Sequence, residues 1–500
     1  MNNLKKMIFS FSLVLFLATL IDCQEYKSVI VPSDRSNNPI DVNFYNDAFI
    51  VKSLNFFTDG GRGSILYRVD QDLNLVSQHD IEGISLTRKS PISIGNRLFG
   101  FGTNRLLPGK YSLLEFNEEL EEISRYDYIS RYIDGGAVST ARYENKILGL
   151  VWDKEGCIGC IEKVRVSLLS QDGEEKVLGD YHEDLKRSFA KSIVTTEDGN
   201  MVFFGNQEYE GFIGSTAVVT KINDEGDIIW KYIGTDIQTA PDAGVFGAEL
   251  SNGNIVFTDE VSRIDHPDFP VGINWRPWKL QWLSPTGDSI GEYVHKTISK
   301  VDSEITGIAT GKNGDYFFIH GRYNKVNDSI PPQGYYGFIW KISNDGEVIW
   351  DRKYHHTGMD LEAYHSIANL IELDNGDLVT IGIVSGLEKL EMWMMRLNSE
   401  GCFGEPECGE ENIYTNTEDI LSFDQSLNIF PNPSSGQINL AGIEESVIKV
   451  EVMSLHGRSM LVSEGFNIIT VNTNDLPEGM YIIRTTTSES KIYTAKVLVD

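Results

Sequence analysis

The stretch Glu197-Asp198-Gly199-Asn200-Met201-Val202-Phe203-Phe204-Gly205 is followed by Ala217-Val218-Val219-Thr220-Lys221-Ile222-Asn223-Asp224-Glu225-Gly226-Asp227-Ile228-Ile229-Trp230. It reads as strand, tight turn, strand, variable loop, strand, tight turn, strand. The Asn/Asp-Gly pairs are turn formers because they tolerate the backbone that short hairpins need. The β-branched and aromatic runs between them are strand formers. The unit recurs. Lys312-Asn313-Gly314-Asp315 leads to Phe338-Ile339-Trp340 and on to Val348-Ile349-Trp350, and Asp374-Asn375-Gly376-Asp377 leads to Met394-Met395-Arg396-Leu397. Weaker copies start at Asn252-Gly253 and are marked by Arg165–Gly173, Leu113–Asn117 and Leu66–Asp70. One turn residue per unit gives Asp70, Asn117, Ser170, Asn223, Ser284, Ser343 and Asn398, spaced 47, 53, 53, 61, 59 and 55 apart.

Seven units with two hairpin turns each predict an all-β chain, a seven-bladed β-propeller of four-stranded blades over 24–410. The spacing also admits eight blades, or six with a degenerate pair. A single unit is too small to bury its own sheet faces, and stacking around an axis buries both. Helical periodicity is nearly absent. The turn and strand Glu225-Gly226-Asp227-Ile228-Ile229-Trp230, repeated as Asp345-Gly346-Glu347-Val348-Ile349-Trp350, resembles the pyrroloquinoline-quinone-type and other bacterial propeller repeats over roughly 40–410. That resemblance implies a fold and no particular activity. Tyr26–Val31 is expected to close the ring as the outer strand of the last blade.

The ends carry addresses. Lys5 and Lys6 precede the uncharged Met7–Leu20, which Ile21-Asp22-Cys23 ends, so 1–23 reads as a signal peptide. A retained anchor would need a longer apolar run. A lipidated Cys23 would want a small residue where Asp22 stands. An acidic linker, 411–426, precedes a block at 427–500. That block opens Leu427-Asn428-Ile429-Phe430-Pro431-Asn432-Pro433 with Gly436 after it. A strand then ends at Gly457, Leu476…Gly479…Tyr481 follows, and a last strand holds Lys496. These features in this order resemble the type A C-terminal sorting domain of the type IX secretion system, the Por secretion tail. The resemblance implies a small Ig-like antiparallel β-sandwich and a partnership with the secretion machinery. It also implies release or surface attachment outside a Gram-negative cell, reached through the periplasm.

Charge narrows the partners. Asp and Glu number 73 against 43 Lys and Arg, a net charge of −30. Nucleic acid and anionic membranes would be repelled. No second apolar run approaches membrane length, so the mature chain is expected to lack a transmembrane segment.

Chemistry-bearing motifs are sparse. Once Cys23 is removed, four cysteines remain, and an even number in an exported chain predicts disulfides Cys157–Cys160 and Cys402–Cys408. A zinc site at Cys157 and Cys160 would need two further ligands. No metal or cofactor is expected. Among the nine histidines, His355, His356 and His365 lie nearest one another in sequence, and none has metal-pair spacing. The Asp-Gly turns lack the spaced ligands of a calcium loop. GxSxG and GxxxxGK[ST] are absent. Trp230 and Trp350 recur at one place in the unit, which predicts packing between blades. The expanded loop Ser262–Trp282 holds Trp275, Arg276 and Trp278, and the next long loop ends in Tyr335-Tyr336. Flat aromatics with a guanidinium suit a sugar or an extended peptide. These five residues are the candidate ligand-binding set; no catalytic residue stands out. The leading expectation is a non-enzymatic glycan- or protein-binding module. The rivals are an extracellular polymer hydrolase or lyase with its site in the channel, and a structural surface protein. Clustered ionisable groups at the channel would favour the enzyme, and an apolar plug would exclude it.

Overall fold

The computed structural model describes residues 28–31, 37–56, 62–107, 109–129, 134–154, 162–181, 188–208, 215–235, 245–260, 278–294, 303–324, 335–356, 364–385, 390–403, 408, 411–414, 427–434, 436–441, 443, 446–454, 459–474, 476–488 and 492–499. All regular structure in them is β. The signal peptide, Cys157, Cys160, Trp275, Arg276 and Gly457 lie outside the described residues.

Seven consecutive antiparallel sheets form the seven blades. They span 37–81, 84–129, 134–181, 188–233, 247–294, 303–356 and 364–397. The last blade has only three strands of its own. Its fourth is Ser28–Val31, which pairs antiparallel with Leu390–Leu397, Ser28 opposite Met395. Trp393 is fully buried and donates its indole N–H to Ser28 Oγ at 2.8 Å, so the two ends of the propeller are joined by side chains as well as backbone. That outer position is already taken, and the departing chain goes elsewhere. Glu411–Tyr414, part of the expected linker, pairs in parallel with the outer strand of blade 6, Val348–His356.

Each neighbouring pair of blades shares an apolar cluster. Leu66 and Ile50 meet Ile84 and Leu98 between blades 1 and 2. Phe101 and Tyr111 meet Val151 between blades 2 and 3. Leu148 and Val166 meet Phe203 between 3 and 4, and Phe204 meets Phe257 between 4 and 5. Trp278 and Trp282 meet Phe317 and Phe338 between 5 and 6. Trp350 and Phe318 meet Trp393 between 6 and 7. Met392 and Met394 meet Phe49 and Tyr67 between 7 and 1, which closes the ring. Burial on both sheet faces is what turns seven unstable meanders into one body.

The seven residues that mark the repeat all open the same five-residue turn. In each, the first residue's N–H donates to the fifth residue's carbonyl, and the fourth residue's N–H to the first residue's carbonyl. The first side chain accepts from the backbone N–H of the fifth residue, as Asn223 Oδ1 does from Asp227 at 2.8 Å. The fourth position has positive φ throughout. Five blades put glycine there, and blades 1 and 2 use the buried Leu73 and Leu120, at φ 59° and 68°. Those two copies lack the turn glycine for that reason.

The C-terminal block is a two-sheet sandwich. Asn428–Phe430, Gln437–Ala441 and Thr470–Asn472 form one sheet. Ser459–Glu464, Val447–Ser454, Gly479–Thr487 and Ile492–Val499, in that order, form the other. Ile438, Val450, Ile483 and Val497 share the core between them.

Candidate functional site

Connections in an antiparallel meander alternate between the two ends of the blade. All the five-residue turns therefore fall at one end of the propeller. The connections that join consecutive blades, and the central hairpin loops of each blade, leave from the other. At that second end the innermost strands surround a cavity of about 530 Å³. Its wall includes Lys52, Arg88, Arg105, Trp152, Glu304 and Tyr364. Deeper in, past Arg88, it narrows to a pocket of about 40 Å³.

Backbone irregularities build the constriction. Five of the seven innermost strands slip register at the same level, between Pro39 and Asp41, Ala137 and Ser139, Ala190 and Ser192, Ile305 and Gly307, and Ile367 and Asn369. A bulge re-aims the side chain that follows it. Asp41, Ser139, Ser192, Gly307 and Asn369 are those followers, and all five line the narrow pocket.

Blade 2 departs further. Its innermost strand is broken into Ile84–Leu86 and Ile92–Ile94, both paired with Arg97–Asn104. The break puts Arg88 and Lys89 into the channel. Lys89 has φ 59°, a left-handed backbone that a lysine holds only when its surroundings fix it. They do. Thr140 N–H donates to Arg88 O at 3.2 Å and Thr140 Oγ1 to Lys89 O at 3.0 Å. From blade 1, the fully buried Lys52 donates Nζ to the carbonyls of Leu86 (3.1 Å) and Thr87. Arg88 then crosses the channel. Its Nη1 donates to Thr306 O in blade 6 at 3.0 Å, and its guanidinium lies 4.7 Å from the ring centre of Phe246 in blade 5.

Burial sets the charges. Asp41 is pushed up to about 6 by loss of water, against the pull of Lys52 and Lys89. Lys52 is pushed down to about 7 and His320 to about 4, each chiefly by burial. Arg88 and Lys89 are lowered for the same reason. Asp41 accepts at Oδ1 from Asn369 and from Val42 N–H at 3.1 Å. Its Oδ2 has no hydrogen-bond partner among the described residues, nor have Ser139 Oγ, Ser192 Oγ and His320 Nε2. All four residues are at least 98% buried and line the narrow pocket. Among the described residues, the constriction is lined by these polar and charged groups together with Ile40, Phe246, Ile308 and Ala368.

The expected ligand-binding residues fare differently. Trp278 opens the strand Trp278–Leu283 and is 4% exposed, with its ring edge-on to Trp340 at 5.3 Å. It is blade 5–6 core and offers no face to a ligand. Tyr336 is also buried, packed 5.3 Å from His355. Tyr335 is half-buried, and its ring lies 5.1 Å from that of Tyr364 on the cavity wall. Arg322 sits against both rings, donates to Tyr364 Oη and pairs with Glu304. His365 is buried; its Nε2 accepts from His356 N–H at 3.0 Å and its Nδ1 faces Tyr335 O at 3.0 Å. No group of three His, Cys, Asp or Glu placed to hold a metal occurs among the described residues. Trp350 and Trp230 pack between blades as the repeat predicts. Cys402 and Cys408 form a disulfide beside the last turn. Asp41, Arg88 and Lys89 were not singled out by motif. The one local signal is Arg88-Lys89-Ser90-Pro91, two cations and a proline where an innermost strand should run unbroken.

In the sandwich, Asn432 of the Pro-Asn-Pro triplet clamps the final strand. Its Nδ2 donates to Lys496 O and its Oδ1 accepts from Leu498 N–H, both at 2.9 Å. Pro431 and Pro433 flank it with cis peptide bonds. Gly436 N–H reaches Ser434 Oγ at 3.4 Å. Tyr481, two residues beyond Gly479, is buried and donates to Pro477 O at 2.7 Å. Lys496 itself is exposed.

Comparison with known proteins agrees. Residues 428–500 match the family described as "Secretion system C-terminal sorting domain". No curated protein matches the chain. Among solved structures, the β-propeller domain of the Trilobed protease from Pyrococcus furiosus is 12% identical, with 73% of this chain and 94% of that one covered and a TM-score of 0.41. A protein of unknown function from Dyadobacter fermentans is 9% identical, with 74% and 98% covered and a TM-score of 0.39. The GH93 alpha-L-arabinofuranosidase of Fusarium graminearum is 12% identical, with 62% and 91% covered and a TM-score of 0.39. Scores at this level say nothing about activity, and the propeller rests on the strand pairing above. The chain is a cargo of the type IX secretion system, a β-propeller carried to the cell surface or the medium by the sorting domain at its C-terminus.

Proposed function

We propose that the exported propeller is a non-enzymatic recognition module that takes an extracellular glycan into the cavity at its long-loop end. The observation that carries this reading is the cavity wall. Two half-buried aromatic side chains, Trp152 and Tyr364, stand beside cationic ones in a space within the usual range for ligand sites. The fold makes room for the indole: a Cβ on Gly136 would come within 2.8 Å of Trp152 Nε1. Aromatic faces are suited to the apolar faces of sugar rings.

Hydrolysis is the weaker reading. Cleaving a glycosidic bond calls for two carboxyl groups flanking it. Glu304 is the sole carboxylate among the described residues lining the wide cavity, and Arg322 already pairs with it. Asp41 has the raised titration point of a proton donor, but it lies past Arg88 in a pocket too small for a sugar ring.

The test is a binding screen of the intact exported protein against polysaccharides, glycans and peptides, beside a Trp152→Ala/Tyr364→Ala variant. Saturable glycan binding that the double variant loses supports the module. No binding by either protein, or equal binding by both, overturns it and shifts the weight to a structural role.

A further inference from the structure

We infer that the ligand is an anionic polysaccharide, and that Arg88 and Lys89 seat the negatively charged group of one sugar unit at the floor of the cavity. The inference rests on the recognition function proposed above and adds the chemistry of what is recognised.

Charge is the first argument. The protein carries a net −30, yet the groups facing this cavity and its constriction run the other way. Among the described residues, Lys52, Arg88, Lys89 and Arg105 stand against Asp41, while Glu304 is neutralised by Arg322. A cationic floor in an acidic molecule focuses anions into one place and repels them from the rest.

Unused donors are the second. Arg88 spends one N–H on Thr306 O, and its surface stays open to the cavity although protein surrounds it. The Lys89 ammonium makes no hydrogen bond or ion pair with any described residue; only its backbone carbonyl is engaged, by Thr140 Oγ1. Below them the hydroxyls of Ser139 and Ser192 and His320 Nε2 are unpartnered and buried, as is Asp41 Oδ2. Buried polar groups left unpaired cost stability, and a ligand or its water shell that pairs them recovers it.

Preorganisation is the third. The break in the blade 2 strand is held from both sides, by Lys52 of blade 1 and Thr140 of blade 3. Lys89 keeps its left-handed backbone inside that frame. Ordered cations lose less entropy on meeting an anion than mobile surface lysines do. The aromatic walls Trp152 and Tyr364 then favour a sugar over an acidic peptide as the bearer of the charge.

The experiment titrates the intact exported protein with polygalacturonate oligosaccharides, a sulfated dextran, neutral dextran and a polyglutamate peptide. Lys89→Gly removes the ammonium and suits the positive φ, so its unfolding midpoint should match the parent's or exceed it. Arg88→Gln is the second variant. The parent should bind at least one acidic polysaccharide more tightly than dextran, more weakly as salt rises, and each variant should lose about tenfold or more in affinity. The ratio of the two acidic arms separates carboxylate from sulfate ester. Binding of dextran alone, indifferent to salt and to Lys89→Gly, overturns the anionic inference and leaves the recognition module standing. Tighter binding of polyglutamate than of either acidic polysaccharide overturns the ligand class. No binding in any arm overturns both readings.

Discussion

The two ends of the propeller are built by opposite rules. At the tight-turn end, each five-residue turn satisfies its own backbone with its own side chain, Asn223 with Asp227 and Asn398 with Cys402 alike. Nothing distant is required. At the long-loop end, no single blade makes the site. Asp41, Arg88, Ser139, Ser192, Phe246, Thr306 and Asn369 come from seven different blades and meet at the axis. The first end is local chemistry repeated, and the second is a consequence of ring closure. The lesson is that a propeller can hold one end constant and leave the other free to acquire a site.

Removing what both ends depend on gives the largest effect. Trp393→Ala opens a cavity between blades 6 and 7 and leaves Ser28 Oγ without its donor. Urea unfolding should show a loss of about 3–5 kcal/mol. A loss under 1 kcal/mol would mean that closure does not support the ring, and the contrast between the ends would lose its basis.

Next comes a probe of the axial site alone. His320 is buried neutral and titrates near 4, below the ordinary histidine value of 6.5. The unfolded chain therefore binds the proton first. Stability from this group is full above pH 6.5 and drains away as pH falls towards 4, by about 3 kcal/mol in all. His320→Gln should flatten that part of the stability profile. An unchanged profile in the variant would place the acid sensitivity elsewhere.

The smallest effect sharpens the contrast within the turn end itself. Gly226 and Gly199 both have positive φ. A Cβ at Gly226 would lie 2.1 Å from Leu178 O, whereas one at Gly199 meets nothing within 4 Å. Gly199→Ala should cost about 1 kcal/mol from backbone strain alone. Gly226→Ala should cost more, because the carbonyl of the neighbouring blade must also move. Equal midpoints in thermal unfolding would show that these turns are not packed against the next blade.

This division also explains what could be read in advance. Asn223, Ser343 and Asn398 announce their turns because the hydrogen bonds are short-range, and the glycines Gly226, Gly346 and Gly401 are the visible trace. Leu73 and Leu120 do the same job without the trace, which is why the first two units looked weak. The sorting domain was legible from Pro431, Asn432, Pro433 and Tyr481, and Asn432 and Tyr481 each hydrogen-bond within their own block. The axial site was not. A one-residue bulge at Ile40 or Thr306 leaves no pattern in the sequence, and Asp41 becomes chemically unusual only when six other blades take its water away. Trp278 misled for a related reason. It ends an expanded loop rich in aromatics, yet it is already the first residue of a buried strand.

The pairing of Ser28–Val31 with Leu390–Leu397 has a consequence in time. The bond from Trp393 to Ser28 joins positions 365 residues apart. A chain delivered from its N-terminus holds its first strand unmatched until the seventh blade has arrived, so ring closure is the last event in folding the propeller and among the slowest. For an exported cargo this delay is useful. A partly delivered chain, with Leu390–Leu397 still to come, has no closed ring to oppose its passage.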